Sequence, residues 1–133
     1  MNYTSTPKSV LLISAAAFLA RLISALFFAE FDNPEMWEFG QIARSLLNGE
    51  GFLFMANTVP VPSAFMPPGL PYLYYFLFSI FGDNQVSYFI IIFLNSVLSG
   101  ISVFLVYILA KKLYSEQVGI YSAIYVCLSP VYI

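Results

Sequence analysis

Five of the seven acidic residues in this chain, Glu30, Asp32, Glu35, Glu38 and Glu50, fall between positions 30 and 50, leaving only Asp83 and Glu116 elsewhere. With no histidine and one cysteine, Cys127, the sequence offers no intrachain disulfide, no Cys/His zinc site and no Ser-His or Cys-His dyad. Any chemistry must use carboxylates, hydroxyls or backbone. Carboxylates serve proton transfer or hold a divalent cation through their oxygens. The spacing of these five matches no cation-loop motif, so no metal and no cofactor is predicted. The five basic residues, Lys8, Arg21, Arg44, Lys111 and Lys112, are too few and too scattered to neutralise a run of phosphates, which excludes nucleic acid as a partner.

The elements that must position the acids are apolar. Hydrophobic side chains make up 60% of the 133 residues and charged ones 9%, against about 45–50% and about 25% in soluble domains. This is the composition of a chain whose partner is the lipid bilayer. A helix needs about 20 apolar residues to cross a hydrocarbon core of about 30 Å. The stretches 9–29 and 86–110 meet that length, 117–133 reaches it at the end of the sequence, and 68–82 is shorter. The expected fold class is therefore all-α: a polytopic helical membrane protein with four transmembrane helices, and with residues 30–67 as its one wet segment. Lys8 and the run Ala15-Ala16-Ala17 resemble a secretory signal, but the apolar stretch continues past Arg21 through Leu22, Ile23, Leu26 and Phe28. That is longer than a signal core needs, so an uncleaved span is the better reading.

Within the wet segment, Asn33-Pro34 has the form of a helix start and Asn48-Gly49 of a helix stop. At about 100° per residue, Met36, Phe39, Gly40, Ala43, Leu46 and Leu47 share one face, while Glu38, Gln41, Arg44, Ser45 and Asn48 share the other. This predicts an amphipathic surface helix over 34–48. Glu35 sits at the edge of the apolar stripe beside Ile42 and Leu46, and Glu38 points to the wet side. A carboxylate half inside an apolar surface is suited to proton transfer, and one on the open face to solvation. Glu35 is therefore the first catalytic candidate, and Asp32, at the exit of the first span, the second. Residues 51–69, with Gly51, Pro60, Pro62, Pro67, Pro68 and Gly69, read as an extended, turn-rich return. A helix dense in aromatics then begins at Pro68 and ends at Gly82-Asp83-Asn84.

Polar residues inside the spans mark where protein or water must be. A charge at the depth of Arg21 costs at least about 2.5 kcal/mol on insertion scales, so Arg21 is expected to face protein or a cavity, where it holds an anionic head group or pairs with a loop acid; the competing reading is an arginine that snorkels to an interface, or an orienting charge in a slightly shorter span. Asn95, Ser99 and Ser102 recur at helical spacing, with Ser96 and Gly100 as a small-x-x-x-small pair. Such a face is ordinarily a helix-packing seam. Pro130 reads as a kink, and Cys127 as a small inert hydrophobe.

In chain order these features are a span with an internal arginine, the segment PEMWEFGQIARSLLNGEGF, a return into PSAFMPPGLPYLYYFLFSIFG, a long span ending VYILAKKLYS, and a further one closing on LSP. The order resembles the N-terminal part of the membrane glycosyltransferases of the C-type fold, the group that includes protein O-mannosyltransferases and the aminoarabinose transferase of lipid A. The resemblance runs from about residue 9 to 133. It implies that the acid opening the first extracytoplasmic helix, Glu35 here, is the general base on the acceptor. Phe39 stands where the family more often has tyrosine, and Phe39, Arg21 and Arg44 are the implied substrate-binding residues. The donor would be a polyprenyl-phosphate-linked sugar, with Arg21 or Arg44 steadying its phosphate. Two departures are visible: Met36 replaces the second acid that often follows the first, and Met66 replaces the polar residue that often precedes the paired prolines.

C-type transferases have more spans than this sequence accounts for, and it closes on Val131-Tyr132-Ile133 in mid-span, so it reads as the front of a longer enzyme, inactive alone. The resemblance places the N-terminus inside the cell membrane and residues 30–67 outside it. Lys111 and Lys112 then also lie outside, against the positive-inside tendency; a re-entrant 68–81 would restore it. The competing reading is a small structural or accessory membrane protein whose acidic loop docks a partner.

Overall fold

The computed structural model describes residues 7–28, 37–56, 59–63 and 66–129. Five helices and one hairpin occur among them: α1 (Lys8–Phe28), α2 (Trp37–Leu47), β1 (Leu53–Ala56), β2 (Val59–Pro62), α3 (Gly69–Phe81), α4 (Gln85–Leu113) and α5 (Glu116–Leu128). Two helices, α1 and α4, are long and apolar enough to cross a membrane. At about 1.5 Å per residue the 13-residue α3 and α5 reach only about 20 Å. Two of the four expected crossings are thus matched by helices of spanning length, while α3 and α5 lie within the other two stretches, 68–82 and 117–133. The predicted kink at Pro130 lies outside the described residues.

The chain divides into two compact units, residues 1–29 with 92–133, and residues 30–91. In the first, α1, α5 and the later part of α4 pack around Val10, Ala17, Val103, Tyr107 and Ala123. Small residues set the approach. A β-carbon on Gly100 would come within 3.1 Å of the Ser14 carbonyl oxygen on α1, so the predicted small-residue seam is real at this point. One on Gly119 would meet both the ring and the carbonyl oxygen of Tyr107 at 3.0 Å. Because the carbonyl cannot move aside cheaply, Gly119→Ala is expected to destabilise this unit by about 1–3 kcal/mol. A lower unfolding temperature in detergent would report it; an unchanged one would show that the Tyr107 backbone yields. Elsewhere the apolar side chains face outward, with Leu12 and Phe27 of α1 70% and 81% exposed, as lipid-facing residues should be.

In the second unit the predicted loop return folds back as a hairpin, so the all-α expectation is incomplete. β1 pairs antiparallel with β2 in the register Leu53↔Pro62, Phe54↔Val61, Met55↔Pro60 and Ala56↔Val59. The two prolines share one parity, so both missing N–H groups fall on the side away from β1, where an edge strand tolerates them. The ladder continues in the bond that Ser63 N–H donates to the Phe52 carbonyl, at 3.0 Å.

The amphipathic helix is packed within this unit. α2 contacts both α3 and β1, so its buried residues are Gly40, Ile42, Ala43 and Ser45, while Leu47 is exposed. Enclosure from two sides widens the buried arc beyond the single stripe that periodicity indicates. Its predicted stop is confirmed in detail. Gly49, at φ 75°, donates to the Leu46 carbonyl and Glu50 N–H to that of Ser45, the paired bonds of a Schellman cap. α3 presents Pro71, Tyr74, Leu77 and Phe78 to the interior at three- and four-residue spacing. Gly82, at φ 84°, then turns the chain, and Asn84 caps α4 by accepting from Val86 and Ser87 N–H.

Candidate functional site

The sequence candidates separate into three places. Glu35 and Asp32, and the helix start assigned to Asn33-Pro34, lie outside the described residues. Glu38 and Phe39, in the first turn of α2, are both half-buried. The wet face expected at Glu38 is therefore partly covered, for the same reason that the buried arc of α2 is broad.

Arg44 leaves α2 on its outer side and meets two residues from the start of α4 and the turn before it. Its Nε donates to Asp83 Oδ2 at 2.7 Å, and its Nη2 lies 3.4 Å from both Asp83 Oδ1 and the Tyr88 hydroxyl. The Tyr88 hydroxyl also donates to Asp83 Oδ1 at 2.6 Å. Tyr88 is buried and packs edge-to-face on Phe78 of α3, with ring centroids 6.2 Å apart. Burial by itself pushes the Asp83 carboxyl up; the hydrogen bonds from Arg44 and Tyr88, together with the charge of Arg44, outweigh it and hold the carboxyl below its ordinary range. The same hydrogen bond to Asp83 raises Arg44, against burial.

The sign of the resulting pH dependence follows. A carboxyl whose folded pKa is depressed stabilises the fold fully above its unfolded pKa, and loses that contribution as pH falls through the folded value. Asp83→Asn is expected to destabilise the protein by about 1 kcal/mol at pH 7, as befits a part-exposed pair. The gap to wild type should close at the acid end, below the ordinary carboxylate range. Thermal unfolding at the two pH values checks this, and a gap that widens in acid would contradict it.

Arg21 lies within the other unit, where the expectation that it avoids lipid holds. It is buried, and lines a cavity of about 360 Å³ with Ala25 of α1 and Ile92, Asn95, Ser96, Leu98, Ser99 and Ser102 of α4. Ser96 and Ser102 donate to the carbonyls of Ile92 and Leu98, which leaves hydroxyl lone pairs available to the cavity. The Ser99 hydroxyl is buried without a hydrogen-bond partner among the described residues. A guanidinium, a primary amide and hydroxyls around one space make a site able to receive an anionic or polyhydroxylated group.

Asp83 and Tyr88 escaped the sequence reading, which took Asp83 only as part of a turn. The available signal was scarcity: in a chain with so few charges, one acid and one arginine on neighbouring wet segments have few other partners. The row Asn95, Ser99, Ser102 was visible, but its facing residue lies on another helix.

Two helices long and apolar enough to cross a membrane, with a buried arginine beside a polar cavity between them, point to a helical membrane protein. The chain belongs to the dolichyl-phosphate-mannose-protein mannosyltransferase family, whose model matches residues 66–133, just over half of its length. It is thus a membrane glycosyltransferase chain. The match takes in α3, α4 and α5 and stops short of the acidic segment. No curated protein and no solved structure matches the chain significantly.

Proposed function

We propose that this chain forms part of a transferase that moves a sugar from a polyprenyl-phosphate carrier to an acceptor at the extracytoplasmic face of the cell membrane. The observation that carries the reading is the family match over 66–133, since the family's description names a dolichyl-phosphate sugar as donor. The same match favours an enzyme over an accessory protein with an acidic docking loop.

In this reading Glu35 takes the proton from the acceptor hydroxyl as that oxygen attacks the anomeric carbon, and the carrier phosphate leaves with the bonding electrons. Asp32 is the second candidate for the base. Of the two arginines, Arg21 is assigned to the donor phosphate, because it lines a cavity together with Asn95 and Ser99. Phe39, half-buried in the first turn of α2, is assigned to apolar contact with the sugar or the carrier. A phosphate contact from the residue before the paired prolines is not assigned, since Met66 offers none. Residues 30–67 lie outside in this topology.

The test is transfer in membranes carrying the protein in its complete reading frame. Label should leave polyprenyl-phosphate mannose for a protein or lipid acceptor, and should not be drawn directly from nucleotide-linked mannose. Transfer from the nucleotide sugar alone would overturn the reading.

A further inference from the structure

We infer that α3 does not cross the membrane: α2, the β1–β2 hairpin, α3 and the turn into α4 lie on its extracytoplasmic face, and Lys8, Lys111 and Lys112 lie on the cytoplasmic one. This path is independent of the transferase chemistry, and it extends the extracytoplasmic segment from residue 67 through the turn at Asp83.

Within the unit formed by residues 1–29 and 92–133, the two helices of spanning length run antiparallel. Val10, near the start of α1, shares a buried cluster with Val103 and Tyr107 of α4. A β-carbon on Gly100 would touch Ser14 and Phe18. The Phe18 ring meets that of Phe93 edge-on, with centroids 5.8 Å apart, and Arg21 and Ala25 line one cavity with Ile92, Asn95 and Ser99. As α1 advances from residue 10 to residue 25, its partners on α4 thus retreat from 107 towards 92. Two neighbouring spans of opposite direction require the chain between them to start and end on the same face. One crossing by α3 would instead make α4 parallel to α1, so a crossing α3 needs a second crossing to undo it. Among the described residues no helix supplies one: the other elements before α4 are the 11-residue amphipathic α2 and two four-residue strands. The length of α3 agrees, since 13 residues rise about 20 Å against about 30 Å of hydrocarbon.

The unit of residues 30–91 gives the same answer from different contacts. α2 packs on α3, and Arg44 of α2 donates to Asp83, in the turn that follows α3, at 2.7 Å. The Tyr88 hydroxyl, in the first turns of α4, donates to the same carboxylate at 2.6 Å. Both charged side chains are about a third exposed, which suits a membrane face and not its interior, where charge is expensive. A crossing α3 would carry Asp83 to the face opposite the wet segment; here it reaches a cation of that segment.

Charge then decides which face is which. Lys8 begins α1, and Lys111 and Lys112 lie in the last turn of α4, so antiparallel packing gathers all three lysines on one face and leaves Arg44 on the other. The positive-inside tendency makes the lysine face cytoplasmic. Arg21 stands seven residues before the end of α1 at Phe28, about 10 Å along the axis, which puts the cavity it lines in the outer half of the bilayer.

The experiment uses the complete protein in sealed right-side-out vesicles, with Cys127 and any further cysteine replaced by serine. Single cysteines are introduced as Asn48→Cys, Gln85→Cys and Tyr114→Cys, and a membrane-impermeant maleimide is added before and after permeabilisation. Gln85→Cys is expected to label in intact vesicles as Asn48→Cys does, and Tyr114→Cys only after permeabilisation. Should Gln85→Cys not accumulate, or resist the reagent under both conditions, Tyr114→Cys against Asn48→Cys carries the test. Tyr114→Cys that labels in intact vesicles would overturn the inference, as would Gln85→Cys that labels only after permeabilisation. Either result leaves the transferase reading standing, because sugar transfer is measured separately and requires no particular path for α3.

Discussion

Glu35→Gln is expected to reduce sugar transfer by about 10²–10⁴-fold while leaving membrane insertion intact. That range is what a positioned general base contributes, and glutamine keeps the shape of the side chain while removing its ability to accept a proton. The comparison that gives this meaning is Glu38→Gln, three residues on. Glu38 lies in the first turn of α2 and is half-buried, but on the predicted helix it stands about 60° round from Glu35, away from the apolar stripe. Its replacement should stay within about 0.5 kcal/mol of wild type in transition-state stabilisation, the ordinary range for a substitution away from the chemistry. Asp32→Asn completes the set. If the base is Asp32, the large loss moves to that variant and Glu35→Gln stays active; if the cluster acts only as a solvated patch, all three remain near wild type.

The second large effect is expected at Arg21. Charge-assisted hydrogen bonds contribute about 1.5–3 kcal/mol each, so Arg21→Leu should raise the KM for a polyprenyl-phosphate sugar by about 10- to 150-fold. Arg21→Lys should fall between, since a lysine keeps the charge but not the planar fork. What separates this from a structural role is the direction of the accompanying change. Removing a cation from the middle of a span relieves an insertion cost of about 2.5 kcal/mol or more. The leucine variant is therefore expected to accumulate in the membrane at least as well as wild type while binding donor poorly. An Arg21→Leu protein with unchanged donor KM would remove the phosphate assignment, and the cavity lined by Asn95, Ser96, Ser99 and Ser102 would then be a packing feature.

Much of the architecture was legible in the residue pattern because it depends on local signals. The apolar runs 9–29 and 86–110 correspond to α1 and α4, Pro68 and Gly82 bracket α3, and Gly49 stops α2 by a cap whose geometry its sequence demands. The features that escaped are those made by partners distant in sequence. The strands Leu53–Ala56 and Val59–Pro62 look like loop because each is four residues long and the second holds two prolines; only their pairing makes them a hairpin. Ser45, placed on the wet side by periodicity, is buried because α2 is covered by β1 as well as α3. Arg44 could be seen as a charge on an outer face, but nothing local indicates that Asp83 and Tyr88 wait for it. Of the four expected spans, α1 and α4 have spanning length, whereas α3 and the described part of the last stretch, α5, are 13 residues each.

The central claim, transfer from a lipid phosphate on the side of the membrane that carries residues 30–67, is tested most directly by sidedness. Sealed vesicles of the two opposite orientations, loaded with polyprenyl-phosphate mannose and carrying the complete protein, would be given an impermeant serine/threonine peptide from outside, the first acceptor to try because the family's description names protein. Labelled peptide should form in the orientation that exposes loop 30–67 and should be lost with Glu35→Gln. Product formed only in the orientation that exposes Lys8, or formed equally by the Glu35→Gln protein, would contradict the account.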